Sequence, residues 1–219
     1  MPETPSACQT LCQSWKEKLS YRSKTVEFLL NNLEENGCTF NYFDLIQCRE
    51  CTRLGMGGGF ALNTGSVSAS SGLPKSDPTT NSSPLVFGGD PSLPPSPSVV
   101  VCSNRVRDYA EFEQTVTHEL IHAVDQCRVK DADFRNLQKH ACTEVRASNL
   151  SGECGMGTEA MRGNVNFKGG QITCVKRRAG LSVKANTNCK DGETAREAVE
   201  GVFGVCYKDT YPFMRHPKL

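Results

Sequence analysis

Apolar residues recur through the first 35 positions at Leu11, Trp15, Leu19, Val26, Leu29, Leu30 and Leu33, with charged and polar residues between them. Spacings of three and four put such residues on one side of a helix, so residues 5–35 are predicted helical, with a break near Ser20 and a stop at Asn36-Gly37. Residues 38–51 form a short segment of mixed apolar character, carrying Phe40, Tyr42, Phe43, Leu45 and Ile46. Gly57-Gly58-Gly59-Phe60 follows, whose glycines permit a tight backbone path beside another element. The pattern then vanishes. Residues 63–98 are rich in Ser, Pro, Gly, Thr and Asn, the composition of a disordered, surface-exposed insertion acting as a spacer, and they are too many for a connection inside a compact fold. Residues 99–102 read as a strand. Helices are predicted over residues 108–127, with Arg128 favourable at the C-terminal end, and over residues 134–150, closed by Ser151-Gly152. The stretch holding Cys154, Cys174 and Cys189 is weakly patterned. A terminal helix over residues 192–207 rests on Ala195, Val199, Val202, Phe203 and Cys206, and Pro212 prevents its extension. Few strands among many helices predict an α+β fold in a single domain spanning residues 1–219.

The helix over residues 108–127 contains Thr117-His118-Glu119-Leu120-Ile121-His122-Ala123, an H-E-x-x-H pattern in a chain with only four histidines. Residues four apart project from one helix face, so His118 and His122 can share a metal ion. Glu119 is rotated about 100° from His118. That offset keeps its carboxylate off the metal but within reach of a water beside it, the place of a general base. The reading is a zinc hydrolase acting on amide bonds, with one zinc per chain. Catalytic zinc takes three protein ligands, so a third is required. Glu144, on the second predicted helix, is the leading candidate by residue type and spacing. His140, one turn earlier on the same face, is its rival. Asp125 fits better as an acceptor that orients a ligand, or as a polar residue at the helix end. The strand at residues 99–102 offers an edge to which an extended substrate could add.

The 219 residues carry 25 Lys plus Arg against 24 Asp plus Glu, a net charge of +1. Nothing in that balance argues for nucleic acid, and Lys176-Arg177-Arg178 reads as a solvated face. The longest apolar runs, such as Val99-Val100-Val101 and Phe28-Leu29-Leu30, fall far short of the roughly 20 residues of a membrane span. The first residues lack the apolar core of a secretory signal and the Arg-rich, acid-poor character of a matrix presequence, so no ordinary targeting segment is expected. Gly57-Gly58-Gly59-Phe60 lacks the second half of a phosphate-binding fingerprint, which argues against nucleotide binding. Twelve cysteines, an even number, suggest disulfides. Cys48 and Cys51 form a lone C-x-x-C with no matching downstream pair, a weak basis for a zinc cluster.

Several segments together carry a family resemblance. They are the H-E-x-x-H segment with Asp125, Cys127 and Arg128; His140-Ala141-Cys142-Thr143-Glu144-Val145-Arg146-Ala147; Asn149-Leu150-Ser151-Gly152-Glu153-Cys154; Gly58-Gly59-Phe60; Val101-Cys102-Ser103-Asn104; Cys174-Val175-Lys176-Arg177-Arg178; and Asp209-Thr210-Tyr211-Pro212-Phe213. In these the chain resembles the mitochondrial inner-membrane zinc metalloproteases that process and assemble ATP synthase subunit 6. The resemblance implies a zincin-like, disulfide-stabilised domain attached peripherally to the inner membrane on its intermembrane-space side. It implies His118 and His122 as metal ligands and Glu119 as the catalytic residue, while Glu144 matches the family motif. The expected substrate is the subunit 6 precursor, whose N-terminal extension is removed. A non-proteolytic assembly chaperone for the ATP synthase membrane sector is the alternative.

Overall fold

The computed structural model describes residues 5–38, 40, 45–51, 58–63, 96–129, 133–164 and 169–217. Ser6 opens helix α1 (Ala7–Arg22) with a capping box, its hydroxyl accepting from the Gln9 N–H while the Gln9 side chain accepts from the Ser6 N–H. Ser23, rather than the predicted Ser20, breaks the N-terminal helix. Its extended backbone ends α1, and its side chain accepts from the Val26 N–H to start α2 (Lys24–Glu35).

Three strands form a mixed sheet in the order β1 (Ile46–Arg49), β3 (Ser96–Cys102), β2 (Gly58–Asn63). Strand β1 runs parallel to β3 with Ile46 beside Val99, and β2 runs antiparallel with Gly58 beside Val101. The strand predicted at residues 99–102 starts three residues earlier. It is the central strand, so it offers no edge to a substrate. Its unbroken valine run fits that place, since Val99, Val100 and Val101 are all buried, as expected of a strand covered on both faces. Residues 64–95, most of the predicted insertion, lie outside the described residues.

Helix α3 (Tyr109–Arg128) begins where Asp108 accepts from the Glu111 N–H, as predicted. Helix α4 (Leu137–Leu150) begins three residues later than predicted, because the Asn136 side chain accepts from the N–H groups of Gln138 and Lys139. Two further helices, α5 (Met156–Met161) and α6 (Gly170–Lys184), occupy the weakly patterned stretch, and α7 (Gly192–Cys206) ends the helical part of the chain.

Two apolar clusters organise these elements. One gathers α1, α2, the sheet and α3 around Leu19, Leu29, Phe112 and Leu120. The other gathers α6 and α7 around Val175, Ala179, Val183 and Val199. Helix α4 belongs to both, with Ala147 and Leu150 in the first and Ala141 and Val145 in the second. Five disulfides staple the fold: Cys12–Cys48, Cys38–Cys127, Cys51–Cys102, Cys142–Cys206 and Cys154–Cys174. Cys8 and Cys189 keep free thiols. The C-x-x-C pair is thus split between two disulfides. No helix among the described residues is long and apolar enough to cross a membrane.

Candidate metal centre

Helix α3 presents His118 and His122 on one face, and α4 packs against that face to bring up Glu144. The two Nε2 atoms are 3.1 Å apart. His118 Nε2 lies 3.4 Å from Glu144 Oε2, and His122 Nε2 lies 3.5 Å from Glu144 Oε1. Ligand atoms about 2.0–2.1 Å from a tetrahedral zinc stand roughly 3.3 Å from one another, so the three donors already have the spacing of three corners of such a site. Glu144 Oε2 is buried with no hydrogen-bond partner, a lone pair that a cation would satisfy.

Each of the three side chains is oriented from behind. Thr143 donates its hydroxyl proton to Asp125 Oδ2 at 2.8 Å, which leaves Thr143 Oγ1 to accept from His122 Nδ1–H at 2.9 Å. That network selects the tautomer whose Nε2 lone pair faces the cavity. On the other histidine, Nδ1 lies 3.2 Å from Glu153 Oε1, an ion-pair distance at which neither atom completes a hydrogen bond, and Arg178 Nη2 holds the second Glu153 oxygen at 2.6 Å. Behind Glu144 stands His140: Asn186 Nδ2 donates to its Nδ1 at 2.9 Å, so its Nε2–H donates to Glu144 Oε1 at 3.2 Å. The rival candidate for third ligand therefore has both nitrogens engaged, and the convergent set is His118, His122 and Glu144. Asp125, expected from the sequence as an acceptor that orients a ligand, reaches His122 through Thr143, the member of this network that the sequence did not reveal.

Glu119 is buried beside Gly58 at the rim of the same cavity, about 300 Å³ in volume, which Thr115, Phe134, Ser148 and Ser182 also line. Burial raises its pKa to about 7. Burial also drops His122 to about 3, keeping it a neutral donor. Against burial, the surrounding histidines hold Glu144 well below the ordinary carboxylate range. Against burial again, His118 and Arg178 hold Glu153 at about 2. Three carboxylates and three imidazoles thus line one cavity with one arginine, a donor set that suits a divalent cation.

The peptidase M76 family profile matches residues 10–214. The chain belongs to the peptidase M76 family. The M76 chain is 37% identical over 207 residues to a protein of Malassezia globosa named mitochondrial inner membrane protease ATP23, covering 92% of this chain and 75% of that one. A Mycosarcoma maydis protein of the same name is 36% identical over 208 residues, covering 92% and 89%. A third, from Eremothecium gossypii, is 46% identical over 121 residues, covering 54% and 49%. No solved structure matches. Family membership makes this M76 chain a peptidase, and its only histidine pair at helical i, i+4 spacing inside an E-containing motif lies in the cavity just described.

Proposed function

We propose that the protein is a zinc-dependent endopeptidase in which His118, His122 and Glu144 hold the metal and Glu119 moves the proton. The observation that carries this reading is the convergence of two imidazole Nε2 atoms and one buried carboxylate at tetrahedral spacing, with a second buried carboxylate alongside. A zinc ion held by His118, His122 and Glu144 would supply Lewis-acid chemistry, polarising the scissile carbonyl and lowering the pKa of a water to about 7. Glu119, with its own pKa raised to about 7 by burial, is matched to take a proton from that water and return it to the leaving amine. His122 stays neutral and fixed through Thr143 and Asp125. Strand β2 has no strand on its outer edge among the described residues, and Gly58 and Gly59 line the cavity. An extended substrate laid along that edge would pass over the metal centre with its backbone hydrogen-bonded to β2.

The relatives' printed name supports a mitochondrial inner-membrane setting. Five disulfides support an oxidising compartment. We therefore assign the protein to the intermembrane-space side of that membrane, attached peripherally, with the ATP synthase subunit 6 precursor as substrate.

Glu119→Gln tests the mechanism. The variant keeps the shape of the side chain and loses the base, so zinc content and thermal stability should match wild type while cleavage of the subunit 6 precursor falls about 10²–10⁴-fold. Cleavage retained by the variant would overturn the assigned base. Equal support of ATP synthase assembly by both proteins, with precursor cleaved by neither, would favour the chaperone.

A further inference from the structure

Glu153 and Arg178 belong to no motif of metal hydrolysis, yet both line the cavity. They come from different elements. Gly152, at φ 83°, turns the chain out of α4 and delivers Glu153 immediately afterwards. The Glu153 carbonyl accepts from Arg162 Nη1 at 2.6 Å, and Arg162 and Arg177 both pair with buried Glu159 of α5. Arg178 lies on α6, half-exposed on the cavity wall, with one nitrogen on Glu153. The Cys154–Cys174 disulfide ties the residue after Glu153 to the residue one helical turn before Arg178. Loop and helix are therefore covalently pinned beside the contact that the two side chains make.

We propose that Glu153 and Arg178 are positioning residues for the metal centre: Glu153 fixes the His118 ring through Nδ1, Arg178 acts only by fixing Glu153, and the Cys154–Cys174 disulfide keeps the pair in register. The proposal rests on the zinc reading above. Groups behind a ligand histidine set its tautomer and basicity, and their loss typically lowers metal affinity 10–100-fold. Glu153, 6% exposed, has little freedom to find another pose, so its carboxylate stays beside His118 Nδ1, where a bound metal that turns the ring would complete the contact. An arginine that works through it should add nothing once the carboxylate is gone.

The test is zinc affinity of the full-length oxidised protein, by competition with a chromophoric chelator, for wild type, Glu153→Ala, Glu153→Gln, Arg178→Ala and the Glu153→Ala/Arg178→Ala double variant. Glu153→Ala should weaken zinc about 10–100-fold, and Glu153→Gln, which keeps an acceptor oxygen for Nδ1–H, should recover most of the loss. The double variant should bind no more weakly than Glu153→Ala alone, since residues acting in series are non-additive. The visible spectrum of the cobalt-loaded protein should change in Glu153→Ala and return in Glu153→Gln, a signature that a purely structural role would not move. Replacing Cys154 and Cys174 together by Ser should weaken zinc, whereas replacing Cys12 and Cys48, which join α1 to β1 at the first apolar cluster, should leave affinity unchanged. Zinc bound equally by wild type and the Glu153 variants overturns the clamp alone. An Arg178→Ala loss that persists without Glu153 overturns its action through that residue. No zinc in wild type overturns both this proposal and the zinc reading.

Discussion

At the scale of single residues, the candidate metal centre is bordered by one position with no room for a side chain. A Cβ on Gly58 would stand 2.7 Å from Thr115 Cγ2 and 2.8 Å from the Val100 carbonyl oxygen, inside two groups that have nowhere to go. Gly59, the next residue, has nothing within 4 Å of a Cβ. Gly58→Ala should therefore lose about 1–3 kcal/mol in urea unfolding, and by displacing β2 it should disturb Glu119 as well. Gly59→Ala should stay within about 0.5 kcal/mol of wild type, and equal stability of the two variants would refute the close approach of β2 to α3. Both glycines were visible in the sequence as a place of close backbone contact, but which of them is crowded depends on the register of β2 and on α3 beneath it. The same division runs through the metal centre. His118, Glu119 and His122 sit within five residues of one helix, so helical geometry alone brings them together. Glu144 needs the packing of α4 on α3. Arg178 sits in a basic run that reads as solvated surface, yet Lys176, Arg177 and Arg178 pair with Glu200, Glu159 and Glu153 on three different segments.

At the scale of elements, α3 and α7 were legible because a strong cap and regular apolar spacing coincide. Helix α6 was not, since its buried face is Cys174, Val175, Ala179 and Val183, small residues interrupted by Gly180. Helix α4 was legible as a helix over residues 134–150, but its enclosure was not: every residue from Thr143 to Leu150 is buried, the polar ones included. The enclosed Arg146 is 1% exposed and holds both oxygens of Asp125 at 3.0 Å, the Asp209 carboxylate at 2.7 Å and the Tyr211 carbonyl at 2.5 Å. Arg146→Met should cost about 3–5 kcal/mol, because it strips buried Asp125 of the arginine that holds both its oxygens and leaves it Arg128 Nε at 3.3 Å and the Thr143 hydroxyl; a loss under 1 kcal/mol would show that the network is dispensable. The segment after α7 is tied down by the same arginine and by Arg128, which bonds Asp209 at 2.6 Å. Burial opposes ionisation of Asp209, but Arg128 and Arg146 hold it below the ordinary aspartate range. A lowered folded-state pKa stabilises the fold above the unfolded value of about 3.9, and that contribution is lost as pH falls through the folded value. Wild type should thus exceed Asp209→Asn in stability by a constant margin from pH 5 to 7, with the gap closing below about pH 4. A margin indifferent to acid would assign the effect to something other than the charge.

At the scale of the whole molecule, the disulfides divide as the apolar clusters do. Cys12–Cys48, Cys38–Cys127 and Cys51–Cys102 join elements of the first cluster, while Cys142–Cys206 and Cys154–Cys174 join elements of the second. No disulfide crosses between them. What does cross is α4 with a face in each cluster, Arg146 on Asp125, Arg128 on Asp209, the segment after α7 that packs Tyr211 and Phe213 on the first cluster, and the candidate metal centre, where His118 and His122 come from α3 and Glu144 from α4. On the zinc reading, the metal therefore supplies a junction that covalent cross-links do not. Because α4 belongs to both clusters, we expect residues 1–219 to unfold as one domain, in a single calorimetric transition whose van't Hoff and calorimetric enthalpies agree. Removing zinc by chelation from the oxidised protein should lower that transition, by about 2.7 kcal/mol relative to protein held at a hundredfold excess of free zinc over its dissociation constant. The transition should remain single, because the shared helix survives loss of the metal. Two resolved transitions would separate the clusters into independent units and sink the one-domain reading. An unshifted transition after verified chelation would mean that the folded protein gains nothing from the metal, and His118, His122 and Glu144 would then be a polar junction between the clusters and no more.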